Sequence, residues 1–223
     1  MTESMRSRHS LKVSTSGPPN SQPEPAGRVA AGGGFQWTEL LVHPGASHIA
    51  LHFRDFNLPE GAYLRDSDGN GEQAYRLTGR GKMGAGEFWS QHVSGDSVRL
   101  ELFTTPPDRP FVIDRYAAGA APALGPQAIC GADDKRGAAC YRESHPEEYY
   151  NVRAVARLLT NGRGICTGWL VGPDNLLLTN NHCIGSAESA LNTDYEFLAE
   201  TSECDGSTAG ESRIFSGGVL LAT

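Results

Sequence analysis

An all-β fold is what this sequence predicts, and three observations predict it. Short stretches alternate apolar and polar residues with a period of two. Clusters of Gly, Asn and Asp punctuate them at close intervals, and no long stretch holds helical periodicity. The pattern divides the chain into an N-terminal segment (1–27), an antiparallel β-sandwich (28–117), a linker (118–128) and a second β-rich region (129–223).

Taken in order, residues 1–27 are rich in Ser, Pro and charge ("STSGPPNSQPEPAG"), a composition that buries too little apolar surface to fold, so disorder is expected. In "SHIALHFRDF", Ile49, Leu51 and Phe53 alternate with His48, His52 and Arg54, which predicts a half-buried strand with its histidines facing solvent. "DSVRLELFTT" repeats the pattern with Val98, Leu100 and Leu102. Gly-rich turns separate the short strands between them. "AAGAAPALGPQA" is small and Pro-punctuated, as a linker is. In the second region, "VRAVARLL" is strand or helix on pattern alone. The Asn161-Gly162 hairpin signal, "ICTGWLV", the turn "GPDN" and "LLLT" resolve it into a β-meander that delivers His182 just past its third strand. "YEFLAE" and "RIFSGGVLLA" are two further candidate strands, which makes five.

Composition excludes several functions. Acidic residues outnumber basic ones, 26 to 19, for a net charge of −7, which opposes binding to nucleic-acid phosphates. No apolar run approaches the roughly 18 residues of a membrane span. All five cysteines (Cys130, Cys140, Cys166, Cys183 and Cys204) fall in the second region and none forms a C-x-x-C pair, so a disulfide framework and an oxidising compartment are expected. "MTESMRSRHSLKVSTSG" nevertheless holds no apolar signal-peptide core, and an incomplete or misplaced N-terminus reconciles the two observations.

The stretch "ICTGWLVGPDNLLLTNNHCIG" resembles the opening of the trypsin-like (chymotrypsin-fold) serine proteases, through Cys166, Gly168, Leu170, Leu178, Thr179, His182 and Cys183. With the two upstream cysteines, the pattern is most similar to bacterial lysyl endopeptidase-like secreted proteases, over residues 129 to about 204. Asn180-Asn181 departs from the usual Ala-Ala. The resemblance implies the first, incomplete barrel of that fold, with His182 as general base and polypeptides as substrates. It implies disulfides Cys166–Cys183 and Cys140–Cys204 with Cys130 unpaired, secretion, and neither metal nor cofactor.

A serine hydroxyl attacks only when a held imidazole takes its proton, and a buried carboxylate must hold that imidazole. Neither partner is legible in the chain. Asp194, Glu196, Glu200, Glu203, Asp205 and Glu211 follow His182 too soon. Gly95-Asp96-Ser97 lies in the sandwich, and Ser216-Gly217-Gly218 follows Phe215 rather than an aspartate. The resemblance therefore implies the front of a longer secreted serine endopeptidase, inactive alone. A second reading keeps the architecture without the chemistry, as a secreted binding or adhesion protein that joins a sandwich to a dead protease-like domain.

Other constellations have plainer accounts. "DSDGNGE" sets Asp66, Asp68, Asn70 and Gly71 in calcium-loop order, but Leu77 stands where a bidentate Glu is needed, and a hairpin turn explains the same letters. His43, His48 and His52 lack a carboxylate or cysteine nearby to complete a metal set. The spacing of Cys183, His182 and Cys204 fits no ligand pattern. Trp37, Trp89, Tyr63 and Tyr75 are expected in the sandwich core rather than in a carbohydrate-binding strip. Nothing in the sequence sets an oligomeric state.

Overall fold

The computed structural model describes residues 27–29, 35–105, 109–120, 136–162, 164–204, 206 and 210–222. Antiparallel strands dominate it, the all-β class that the sequence predicts. The chain divides into two compact units, 1–119 and 120–223. The disorder expected for 1–27 falls, apart from Gly27, outside the described residues, as do linker residues 121–128 and Cys130.

The first unit holds β1 (Gly27–Val29), β2 (Phe35–Val42), β3 (Ala46–Arg54), β4 (Tyr63–Asp68), β5 (Ala74–Leu77), β6 (Phe88–Trp89), β7 (Val93–Ser94), β8 (Ser97–Thr104) and β9 (Val112–Ala120). One sheet runs β1-β2-β8-β4-β5. In the other, β3 pairs with β6, β7 and β9. Trp37, Leu64, Val98, Leu100 and Leu102 from the first sheet pack with Ile49, Leu51, Phe53, Phe88 and Val93 from the second in one apolar core. Phe53, Phe56, Phe88 and Phe111 meet there with ring centroids 5.2–5.6 Å apart, contacts worth about 0.5–1.5 kcal/mol each beyond area burial.

Three sequence expectations need correction. Strand β9 runs on to Ala120, so the linker cannot begin at 118. The alternation in β3 does not leave its other face wet: residues 49–53 are all buried, because β3 is flanked on both sides and Trp89 lies opposite His52. His52 is 3% exposed and is not a solvent-facing histidine. Of the aromatics assigned to the core, Trp37 and Trp89 are buried and Tyr75 packs against it, but Tyr63 lies on the outer face of the first sheet, stacked on Phe103. Parity accounts for this, since the adjacent Leu64 takes the inward position.

The calcium-ordered letters build a hairpin. Asp66 and Asp68 lie within β4 and point inward, buried, and an Asp68 oxygen accepts the Gln73 N–H at 3.2 Å across the turn. Leu77 sits on β5 opposite Leu64.

The second unit holds α1 (Pro146–Val152), β10 (Val155–Thr160), β11 (Gly164–Val171), β12 (Leu176–Thr179), α2 (Ala187–Leu191), β13 (Thr193–Phe197) and β14 (Arg213–Ser216). The five strands form one sheet ordered β12-β11-β10-β13-β14. Asn161 and Gly162 both take positive φ (52° and 73°), as a tight hairpin of the predicted kind requires. Strand β14 is shorter than its apolar text: it stops at Ser216, where Gly217 turns at φ 84° and donates to the Thr193 carbonyl. The two short helices were not anticipated. Pro146 followed by Glu147 and Glu148 starts α1, and a capping box between Ser186 and Ser189 starts α2.

Candidate functional site

The segment that carries His182 is built by local rules. Gly168 lets β11 and β12 approach, because a Cβ there would lie 2.6 Å from Leu177 Cδ2 and 3.0 Å from the Leu178 carbonyl. Thr179 Oγ1 donates to the Thr167 carbonyl at 2.8 Å and fixes the end of β12. The chain then turns, with the Cys183 and Ile184 amides donating to the Asn180 carbonyl at 2.9 and 3.3 Å. Cys183 and Ile184 are driven inward, 9% and 7% exposed, and Cys183 bonds Cys166. Asn180 and Asn181 are both exposed, so nothing at these positions demands small residues. A second disulfide joins Cys140 to Cys204.

His182 itself is exposed. Among the described residues no carboxylate or hydroxyl hydrogen-bonds its ring. The sequence-predicted acids are placed elsewhere. Asp194 is 3% exposed on β13 and accepts from Ser216 Oγ, its cross-strand partner on β14. Glu196 binds the Arg157 guanidinium, with Nε at 2.8 Å. Glu200 accepts from Tyr149 at 2.5 Å and from Arg142 at 3.3 Å. Glu203 offers its backbone carbonyl to Thr201, Glu211 is exposed, and Asp205 lies outside the described residues. Sheet order explains the separation: β10 and β11 stand between β12, which ends three residues before His182, and the strand that carries Asp194. A cleft of about 310 Å³ in this unit is lined by Tyr149, Arg153, Arg157, Ile165 and Glu200 among others, and His182 is not on its wall.

The ring of His182 lies within 4.8 Å of both Cys166 and Cys183 sulfurs. Those sulfurs are bonded to each other, so neither is the thiolate that a metal requires. Cys204 is likewise committed to Cys140, which removes the alternative thiol set. The Gly95-Asp96-Ser97 stretch is a turn between β7 and β8 in the first unit, where the Asp96 carbonyl accepts the His43 amide.

The histidine with the most developed surroundings is one that sequence reasoning left on the surface. His52 Nδ1 lies 2.6 Å from Asp114 Oδ1, and Arg115 Nη2 lies 3.2 Å from its Nε2. The carboxylate accepts from Nδ1, and the Arg115 guanidinium lies beside the other ring nitrogen. Trp89 closes over the ring at 5.1 Å between centroids. Burial pushes the Asp114 carboxyl up, but the hydrogen bond from His52 and the charges of His52, Arg115 and Arg54 outweigh it and leave the pKa lowered. With its ring buried, His52 ties β3 to β9 through Asp114.

The chain is 34% identical over 194 residues to the secreted RxLR effector protein 73 of Plasmopara viticola, a match covering 79% of this chain and 48% of that protein. It thus spans about half the length of the curated relative it matches. No family model matches the chain, and no solved structure matches it. The expectation of a serine endopeptidase is overturned here: the relative is named an effector, not a peptidase. The enzyme assignment falls with it. Two disulfides fit an oxidising compartment, and among the described residues no helix is long and apolar enough to cross a membrane.

Proposed function

We propose that this chain is a secreted, non-catalytic binding protein of the effector kind. In this reading its C-terminal unit, similar in motif to the opening of a trypsin-like barrel, is a disulfide-braced scaffold without the chemistry, and the sandwich meets the partner. The observation that carries the proposal is the isolation of His182. Its ring is exposed and unbonded among the described residues, while Asp194, Glu196 and Glu200 serve Ser216, Arg157 and Tyr149. An imidazole without a fixed tautomer lacks what general-base catalysis needs, a loss of about 10⁴-fold in rate where the orienting acid alone is changed. The relative's name, a secreted effector, supports the same reading, as do the two disulfides.

The test is direct. The purified chain, with both disulfides verified by non-reducing peptide mapping, is exposed to a fluorophosphonate probe and to ester and amide substrates beside its His182→Ala variant. Labelling and turnover are expected at background for both. Probe labelling that disappears in His182→Ala would overturn the proposal.

A further inference from the structure

The outer face of the first sheet carries an unbalanced set of charges. Register aligns Thr38, Glu101, Arg65 and Arg76 in one row across β2, β8, β4 and β5. The neighbouring rows hold Leu40 beside Arg99, and Phe103 beside Tyr63. Alternate residues of the same strands (Leu64, Leu100 and Leu102) are buried beneath. These rows therefore carry three guanidinium groups and one carboxylate. Glu101 is already taken, at 2.6 Å from Arg65. Arg76 lies over the Tyr63 ring at 3.9 Å, and no carboxylate among the described residues pairs with either Arg76 or Arg99. This cationic surplus stands out on a chain whose net charge is −7.

We propose that this face docks an acidic polypeptide segment that also carries aliphatic side chains. The inference rests on the binding-protein reading above and names the surface and the partner's chemistry. Unpaired guanidinium forks match carboxylates bidentately, and Arg and Tyr are the residues that most often dominate binding energy at interfaces. Leu40 and Val42, 50% and 52% exposed at the edge of the cationic rows, provide apolar ground that suits Leu, Ile or Val side chains. An anionic glycan fits less well. Stacking a sugar needs a free ring face, whereas Tyr63 and Phe103 stack on each other at 4.6 Å and Arg76 covers the other side of Tyr63. The guanidinium of Arg76 is also held in place by that stack, which lowers the cost of ordering it on binding.

The experiment uses the full oxidised chain as bait for a displayed library of random 12-residue peptides. Binding of enriched clones is then measured by surface plasmon resonance against four variants. Arg76→Glu/Arg99→Glu inverts the face, Leu40→Glu adds a carboxylate without removing a cation, Arg76→Gln/Arg99→Gln neutralises the face, and Arg153→Glu/Arg213→Glu makes the same charge change in the other unit. The expected pool is rich in Asp and Glu alternating with Leu, Ile or Val. Its affinity should fall at least tenfold with the inverted face, severalfold with Leu40→Glu and with the neutral pair, and less than twofold with the control. Binding should also weaken as salt rises. An empty selection, a pool without acidic residues, or equal loss in the Arg153→Glu/Arg213→Glu control would overturn the inference. So would dextran sulfate that binds with the same dependence on Arg76 and Arg99 while no peptide does. Fluorophosphonate labelling of the same preparation would instead count against the non-catalytic reading and leave the docking face standing.

Discussion

The two units solve the same stability problem by different means. In the sandwich ten apolar residues from two sheets and four from connecting segments form a single buried cluster, and no disulfide joins any of its described residues. The C-terminal unit buries only Ala156, Leu158, Cys183, Ile184 and Ala190 in its main cluster, and it carries both disulfides. A thin core gains little from burial, so restricting the unfolded chain becomes a comparatively large term. In the chain-entropy account, the bridge with a separation of 64 residues contributes about 4 kcal/mol and the one spanning 17 about 3 kcal/mol. The lesson is that the cysteines near His182 are explained by stability before any chemistry is invoked.

Reduction should break this comparison most visibly. Dithiothreitol is expected to unfold the C-terminal unit, since the loss of both bridges is of the same order as the whole stability of a typical domain. Amide hydrogen exchange read by mass spectrometry should show β10–β14 losing protection while β2, β3, β4 and β8 keep theirs. Equal loss in both units would mean that the sandwich core is not self-sufficient.

Phe53→Ala should produce the reverse pattern with a smaller effect. The ring is 0% exposed and touches Phe56, Phe88 and Phe111, and truncating such a residue costs about 3–5 kcal/mol. Protection should fall throughout the sandwich and stay unchanged in β10–β14. A loss below about 1 kcal/mol would show that the aromatic cluster is looser than its geometry implies.

Local features were legible in the sequence and long-range ones were not. The β-meander could be read because Asn161-Gly162 and the turn at 172–175 sit between apolar strands, and turn chemistry acts over a few residues. Helix α1 is equally local in its Pro146-Glu147-Glu148 start, but at seven residues it is too short to show helical periodicity. Tyr63 could have been placed by parity, since Leu64 beside it had to point inward. The setting of His52 was out of reach, because its carboxylate arrives from Asp114, 62 residues later, on a strand whose pairing depends on the tertiary fold. The motif around His182 is local in the same way, while a catalytic setting requires groups from other strands, and sheet order keeps Asp194 away.

The smallest expected effect sharpens the comparison through pH. Asp114 is held between His52, at 2.6 Å, and Arg54, whose Nε lies 3.5 Å from Oδ2, and its pKa is lowered in the fold. A carboxylate whose folded pKa lies below its unfolded value binds protons more readily when unfolded, so stability rises with pH across that interval. The contribution is complete above the ordinary aspartate value of about 3.9 and is lost as pH falls through the lower, folded value. Asp114→Asn keeps an acceptor for His52 and removes the charge. It is expected to cost on the order of 1–2 kcal/mol at neutral pH, the range of a charge-assisted hydrogen bond discounted for partial exposure. It should also flatten the acid limb of the sandwich's stability curve, measured by hydrogen exchange in β3 and β9 between pH 5 and the acid transition. The C-terminal unit, which Asp114 does not belong to, should keep its own acid limb unchanged. An acid limb of the sandwich that is identical in wild type and Asp114→Asn would show that the His52–Asp114 pair contributes no net stability and that β3 and β9 are held by packing alone.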